Sequence, residues 1–87
     1  MLHIKEIFPD RESVTIKADG KLDRESLQIL EEVIEDNQKE GRRVSLLLRG
    51  IIRADRDGKD FLIKYRDSLP MEGLSEFLKK EIGFSDS

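Results

Sequence analysis

The sequence predicts a single α/β domain with a mixed sheet of about four strands and helices mainly on one face, in the order β-β-α-β-α-β-α. Three observations carry this. Val14, Ile16 and Ala18 alternate with Thr15 and Lys17, the period of a half-buried strand. Leu27, Leu30, Val33 and Ile34 then recur at helical spacing, with Glu31, Glu32, Glu35 and Asp36 on the opposite face. Finally, Val44-Ser45-Leu46-Leu47-Leu48 is a nearly unbroken apolar run that leads to a second helix start. Strand, helix and apolar strand in that order form a β-α-β unit with parallel strands.

The elements follow in order. Leu2 to Phe8 alternates imperfectly and predicts an edge strand, closed by a Pro9-Asp10-Arg11-Glu12 turn. Ser13 to Ala18 returns antiparallel to it, and Asp19-Gly20 predicts the bend that ends that strand. Asp23 is the expected N-cap of a helix over roughly 24–40, with Glu25 in its first turn, Lys39 in its last and Gly41 as the C-terminal glycine. The run Val44–Leu48 reads as a central strand buried on both faces. Residues 50–54 read as a connection, and Asp55 or Asp57 as the cap of a second helix burying Phe61, Leu62 and Tyr65. Leu69 and Met71 flank Pro70, a pattern an edge strand tolerates. Ser75 caps a last helix with Phe77, Leu78 and Ile82 toward the core and Gly83 at its end; residues 85–87 are expected to fray.

Eighty-seven residues hold one core and no more. A chain of this size buries roughly 60–65% of its unfolded surface, and a stability of about 5–8 kcal/mol is expected. With 37% apolar and 40% charged residues the composition is that of a soluble domain. No apolar run is long enough to cross a bilayer, and the N-terminal residues do not have the pattern of a signal peptide. There is no cysteine, hence no disulfide framework or thiolate zinc site. A cytoplasmic location is the expectation.

Charge is uneven along the chain. Residues 1–38 hold five Lys/Arg against ten Asp/Glu, residues 39–66 nine against four, and residues 67–87 two against five. The basic middle third reads either as solvated helix ends or as a patch for an acidic partner or for self-association.

The turn Asp55-Arg56-Asp57-Gly58 follows a parallel strand, where open α/β sheets place their working sites. Gly20-Lys21-Leu22-Asp23, the helix with Leu27 and Leu30, the strand Val44–Leu48 and Asp55-Arg56-Asp57-Gly58 together resemble a STAS domain. These are small domains found in sulfate transporters and in bacterial anti-sigma factor antagonists. The family pattern is Gly-x-Leu-Asp before the first helix and Asp-Ser-x-Gly opening the second. The similarity covers Val14 to about Tyr65 and resembles a minimal version of the family. It departs where many members carry a phosphorylatable Ser or Thr: that position is Arg56 here, which has no hydroxyl and the opposite charge to a phosphoserine. Asp57, one position along, supplies a fixed negative charge.

The resemblance implies a non-enzymatic regulatory or scaffolding module that binds another protein, such as an anti-sigma factor kinase or a transporter subunit. The implied partner surface is Arg53, Asp55, Arg56, Asp57 and Lys59, without the usual phosphorylation switch. The alternatives are a structural subunit or homodimer pairing through an open sheet edge, and a nucleic-acid-binding domain using Arg42, Arg43, Arg49, Arg53, Arg56 and Lys59. An acidic pI near 5.2 and 6% aromatic residues argue against nucleic acid.

No cofactor or metal is expected. Aligning Gly58 with the glycine of an EF-hand loop places Arg53 and Lys64 at ligand positions, where both repel a cation. His3 is the sole histidine and has no nucleophile placed beside it in sequence. No glycine-rich phosphate loop occurs, and the carboxylate pairs Glu31-Glu32 and Glu35-Asp36 lie on a solvated helix face. These readings predict no enzymatic activity.

Overall fold

The computed structural model describes residues 2–83, so the expected fraying of residues 85–87 falls outside the described residues. The order is β1 (Leu2–Asp10), β2 (Ser13–Leu22), α1 (Arg24–Lys39), β3 (Arg43–Leu47), β4 (Ile51–Ala54), α2 (Arg56–Tyr65), β5 (Met71–Glu72) and α3 (Glu76–Glu81). This is the predicted α/β order with one added strand, β4.

β2 organises the sheet. It pairs antiparallel with β1 along one edge, with Ile4 opposite Ala18 and Glu6 opposite Ile16. Along its other edge it pairs parallel first with β3, Val14 opposite Val44, and then with β4, Leu22 opposite Ala54. β5 lies parallel to β3 on the outside. The central strand is therefore β2. The run around β3 is apolar because Val44, Leu46 and Leu48 are buried, while Ser45 and Leu47 on the other face are half-exposed.

The same alternation holds on β2, where Val14, Ile16 and Ala18 are buried and Thr15 and Lys17 are half-exposed. α1 packs on β2 and β3, and α2 packs on α1 and β4, so the helices cover the face that bears the buried side chains. Leu30 and Ile34 of α1, Leu62 of α2, Leu78 of α3 and Ile82 at its C-terminal cap join Ile16, Leu22 and Leu46 in one core. The result is a slab of 33 × 32 × 19 Å.

Local chemistry sets the boundaries. The Asp10 carboxylate accepts the Glu12 N–H at 2.8 Å and closes the hairpin, while Pro9, lacking an N–H, coincides with a register shift in β1. Asp23 caps α1 by accepting the Ser26 N–H at 2.9 Å. Gly41, at φ +80°, turns the chain out of α1 in the left-handed conformation that glycine adopts without a Cβ penalty. At the far end of α1, buried Asn37 donates to the Glu6 carboxylate at 2.9 Å and to the Val33 carbonyl at 2.8 Å. Its side-chain oxygen accepts from Arg42 at 3.1 Å, and the Arg42 guanidinium lies 5.2 Å over the Phe8 ring. Edge strand, helix and the start of β3 are thereby tied together.

Besides β3, which is buried on one face and not on both, three details differ from the sequence reading. Asp19-Gly20 bends β2 without ending it: Gly20 takes φ +118°, donates its N–H to the Gly50 carbonyl at 2.9 Å, and the strand continues to Leu22 with β4 as its new neighbour. Residues 51–54 form that neighbour, too short for alternation to reveal it. Phe77 does not face the core and is 68% exposed; the buried stripe runs through Leu74, Leu78 and Ile82 at four-residue spacing, and Phe77 lies off it.

Candidate functional site at the start of helix α2

The two motif segments pack on each other. Gly20-Lys21-Leu22 runs parallel to Ile51–Ala54, and the Leu22 carbonyl accepts the Asp55 N–H at 3.1 Å. Asp55 is the N-cap of α2, its carboxylate accepting the Gly58 N–H at 2.9 Å; Asp57 is not the cap. Gly58 lies so close to β2 that a Cβ there would stand 2.6 Å from the Leu22 carbonyl oxygen, 2.8 Å from the Leu22 Cβ and 3.1 Å from the Ala54 Cβ. The sequence Gly-x-Leu-Asp and the later Asp-x-x-Gly are thus two halves of one contact, which seats the first turn of α2 on the end of β2.

This contact divides the five expected site residues. Arg53, Asp55 and Lys59 line a groove of about 820 Å³ together with Lys21, Ile52 and Phe77. Asp57 turns the other way, toward α1, where it lies 3.8 Å from Arg24 and lines a second groove with Asp60 and Lys64. Arg56 is exposed, the first helical residue after the cap, and lines neither groove. The carboxylates of Asp55 and Asp57 therefore do not converge. Among the described residues, no group of three or more His, Cys, Asp or Glu side chains is placed to hold a metal ion.

Sequence reasoning did not find Lys21, Ile52 and Phe77. Ile52 carried a signal, an apolar residue beside Arg53 outside any buried stripe, and Phe77 carried another, being off the Leu74-Leu78-Ile82 spacing.

The basic middle third does not form one patch. Arg42 and Arg43 lie at the start of β3, level with Ser13, while Arg53 lies level with Lys21 and Arg56 beyond Leu22 at the other end of β2. Nine residues of strand separate these levels, about 30 Å. Arg42 is also occupied by Asn37 and Phe8. A nucleic-acid backbone would therefore meet two separate basic clusters.

His3 is exposed on β1 and stands opposite Asp19 in the hairpin register. Asp23, the cap of α1, has a displaced pKa. Its pKa is lowered from the ordinary value of 3.8, first by the hydrogen bond from the Ser26 backbone N–H and then by the Ser26 side chain. No described helix is long and apolar enough to cross a membrane.

No protein-family model matches this chain, and no curated protein matches it by sequence.

Proposed function

We propose that this chain is a non-enzymatic regulatory or scaffolding module that binds another protein through the start of α2, in the manner of an anti-sigma factor antagonist that lacks the usual phospho-switch. The observation that carries the reading is the position of Arg56: exposed, directly after the Asp55 cap, beyond the carboxyl ends of parallel strands β2 and β4. The mutual packing of the Gly20–Asp23 and Asp55–Gly58 segments supports the resemblance, since it supplies a physical reason for both motifs to occur in one chain.

In this reading Arg56 is a permanently charged, bidentate donor where related domains present a switchable hydroxyl. Binding is constitutive with respect to this site, because no residue from Ile51 to Lys64 carries a hydroxyl. The partner is an anti-sigma factor kinase or a transporter subunit, the location cytoplasmic, and no cofactor takes part.

The test is partner capture from native extract with wild type and Arg56→Glu in parallel. A partner held by wild type and lost by Arg56→Glu is the expected result. The same partners on both proteins, or phosphate found on residues 51–64 after incubation with extract kinases, refutes the reading. A homodimer is the competing assignment. β1 has no strand on its outer edge among the described residues, but Lys5 and Pro9 there oppose edge-to-edge pairing.

A further inference from the structure

The groove beside α2 has a composition that specifies its occupant. Its walls are the outer edge of β4, the first turn of α2 and the start of α3. Ile52 is 84% exposed and Phe77 68% exposed, and both line it. Two large apolar side chains on one open groove are a place where a partner side chain gains by being covered.

The charges in the groove are mostly positive. Lys21, Arg53 and Lys59 line the groove against one carboxylate, Asp55. Asp55 is occupied as the helix cap. Lys59 pairs with Glu81 at 3.2 Å, whereas neither Lys21 nor Arg53 makes a salt bridge among the described residues. The positive end of the α2 dipole adds to the same sign. The groove therefore favours a negatively charged ligand with apolar side chains.

β4 pairs with β2 on one side, and no strand pairs with its other side among the described residues. An open strand edge accepts a chain in extended form.

We propose that this groove binds an acidic, extended segment of a partner protein, with an apolar side chain held between Ile52 and Phe77 and its carboxylates on Lys21 and Arg53. The proposal rests on the protein-binding reading above and names the chemistry of the bound segment. A nucleic acid fits less well, because the other basic cluster is about 30 Å away and the groove has a single ring, Phe77, on which to stack a base. A second copy could offer the acidic face of α1, where Glu25, Ile29, Glu32 and Asp36 share one exposed stripe. A helix has its backbone groups already paired and cannot join the β4 edge, and such a head-to-tail contact does not close into a two-fold dimer.

The test uses random octapeptides displayed on phage, selected on the whole immobilised protein and counter-selected on the double variant Arg53→Glu/Phe77→Ser. Both substituted residues are exposed, and matched thermal melts check that the variant folds. The expected peptides are enriched in Asp and Glu and carry one or two large apolar residues. Synthetic copies should bind by fluorescence anisotropy, weaken with added salt, and lose about tenfold or more in affinity to each single variant.

No enrichment over the double variant, a basic consensus, or binding indifferent to Phe77→Ser overturns the proposal. So does light scattering that finds wild type self-associated and Phe77→Ser monomeric, since a second copy is then the occupant. The two readings fail separately. Partner capture that depends on Arg56 without any acidic peptide selected discards the groove and keeps the module. Acidic peptides selected where capture ignores Arg56 do the reverse.

Discussion

Replacing Gly58 by alanine separates a packing role for the motif glycine from a functional one. At an open helical position the change is favourable, worth up to about 1 kcal/mol through helix propensity. At Gly58 the added methyl would stand 2.6 Å from the Leu22 carbonyl oxygen and 2.8 Å from its Cβ, and neither atom can swing away because one is backbone and the other is fixed to it. The first turn of α2 has to lift from β2. Overpacking of this kind costs about 1–3 kcal/mol. Lifting also stretches the 3.1 Å bond from the Asp55 N–H to the Leu22 carbonyl, a further loss of about 0.5–1.5 kcal/mol if it breaks. Against the propensity gain, the net is a destabilisation of about 1–3 kcal/mol.

For a domain of this size each kcal/mol moves the melting midpoint by about 4–8 °C. Circular dichroism melts and urea titrations of wild type and Gly58→Ala read the change directly. Gly41→Ala is the companion variant. Its Cβ meets nothing within 4 Å, so only the cost of alanine at φ +80° applies, about 1 kcal/mol. A Gly58→Ala protein as stable as wild type, or more so, would show that α2 does not sit on Leu22 as described, and the structural explanation of the paired motifs would fail with it.

Two further outcomes follow from contacts elsewhere in the fold. Asn37→Ala removes a buried side chain that donates to Glu6 and Val33 and accepts from Arg42, and a loss of about 2–3 kcal/mol in urea unfolding is expected; under about 0.5 kcal/mol would mean water replaces it without cost. Asp23 has its pKa lowered by the Ser26 hydrogen bonds, so its charged form favours the folded state: that contribution is present above the unfolded value near 3.8 and is lost as the pH falls through the lower folded value. The stability gap between wild type and Asp23→Asn should accordingly be constant near neutrality and shrink below about pH 4, and a gap that widens there would contradict the sign.

The helix signals were readable from the sequence because they are local. Asp23, Asp55 and Ser75 cap where their side chains can reach an N–H three residues on, a distance the chain itself sets. The period of Val14-Ile16-Ala18 and the stripe Leu27-Leu30-Ile34 each announced a buried face, since burial on a strand or helix repeats at the pitch of that element. From these the α/β class and the parallel β2-α1-β3 unit followed.

The tertiary structure decided what depends on distant residues meeting. Residues 51–54 became a strand only because β2 continues past Gly20 and offers them a partner. Phe77 was placed outside because the short α3 buries one side, with Leu78 inside it and Leu74 and Ile82 flanking it at its two ends. The five residues expected to share one site were parted by the turn of a helix, Asp57 toward α1 and Arg53 and Lys59 toward α3, while Lys21 and Ile52 joined from segments thirty residues apart. Spacing along a chain fixes which side chains can share a face of one element. Which faces of different elements meet is set by how the sheet and helices close around a common core, and no local pattern encodes it.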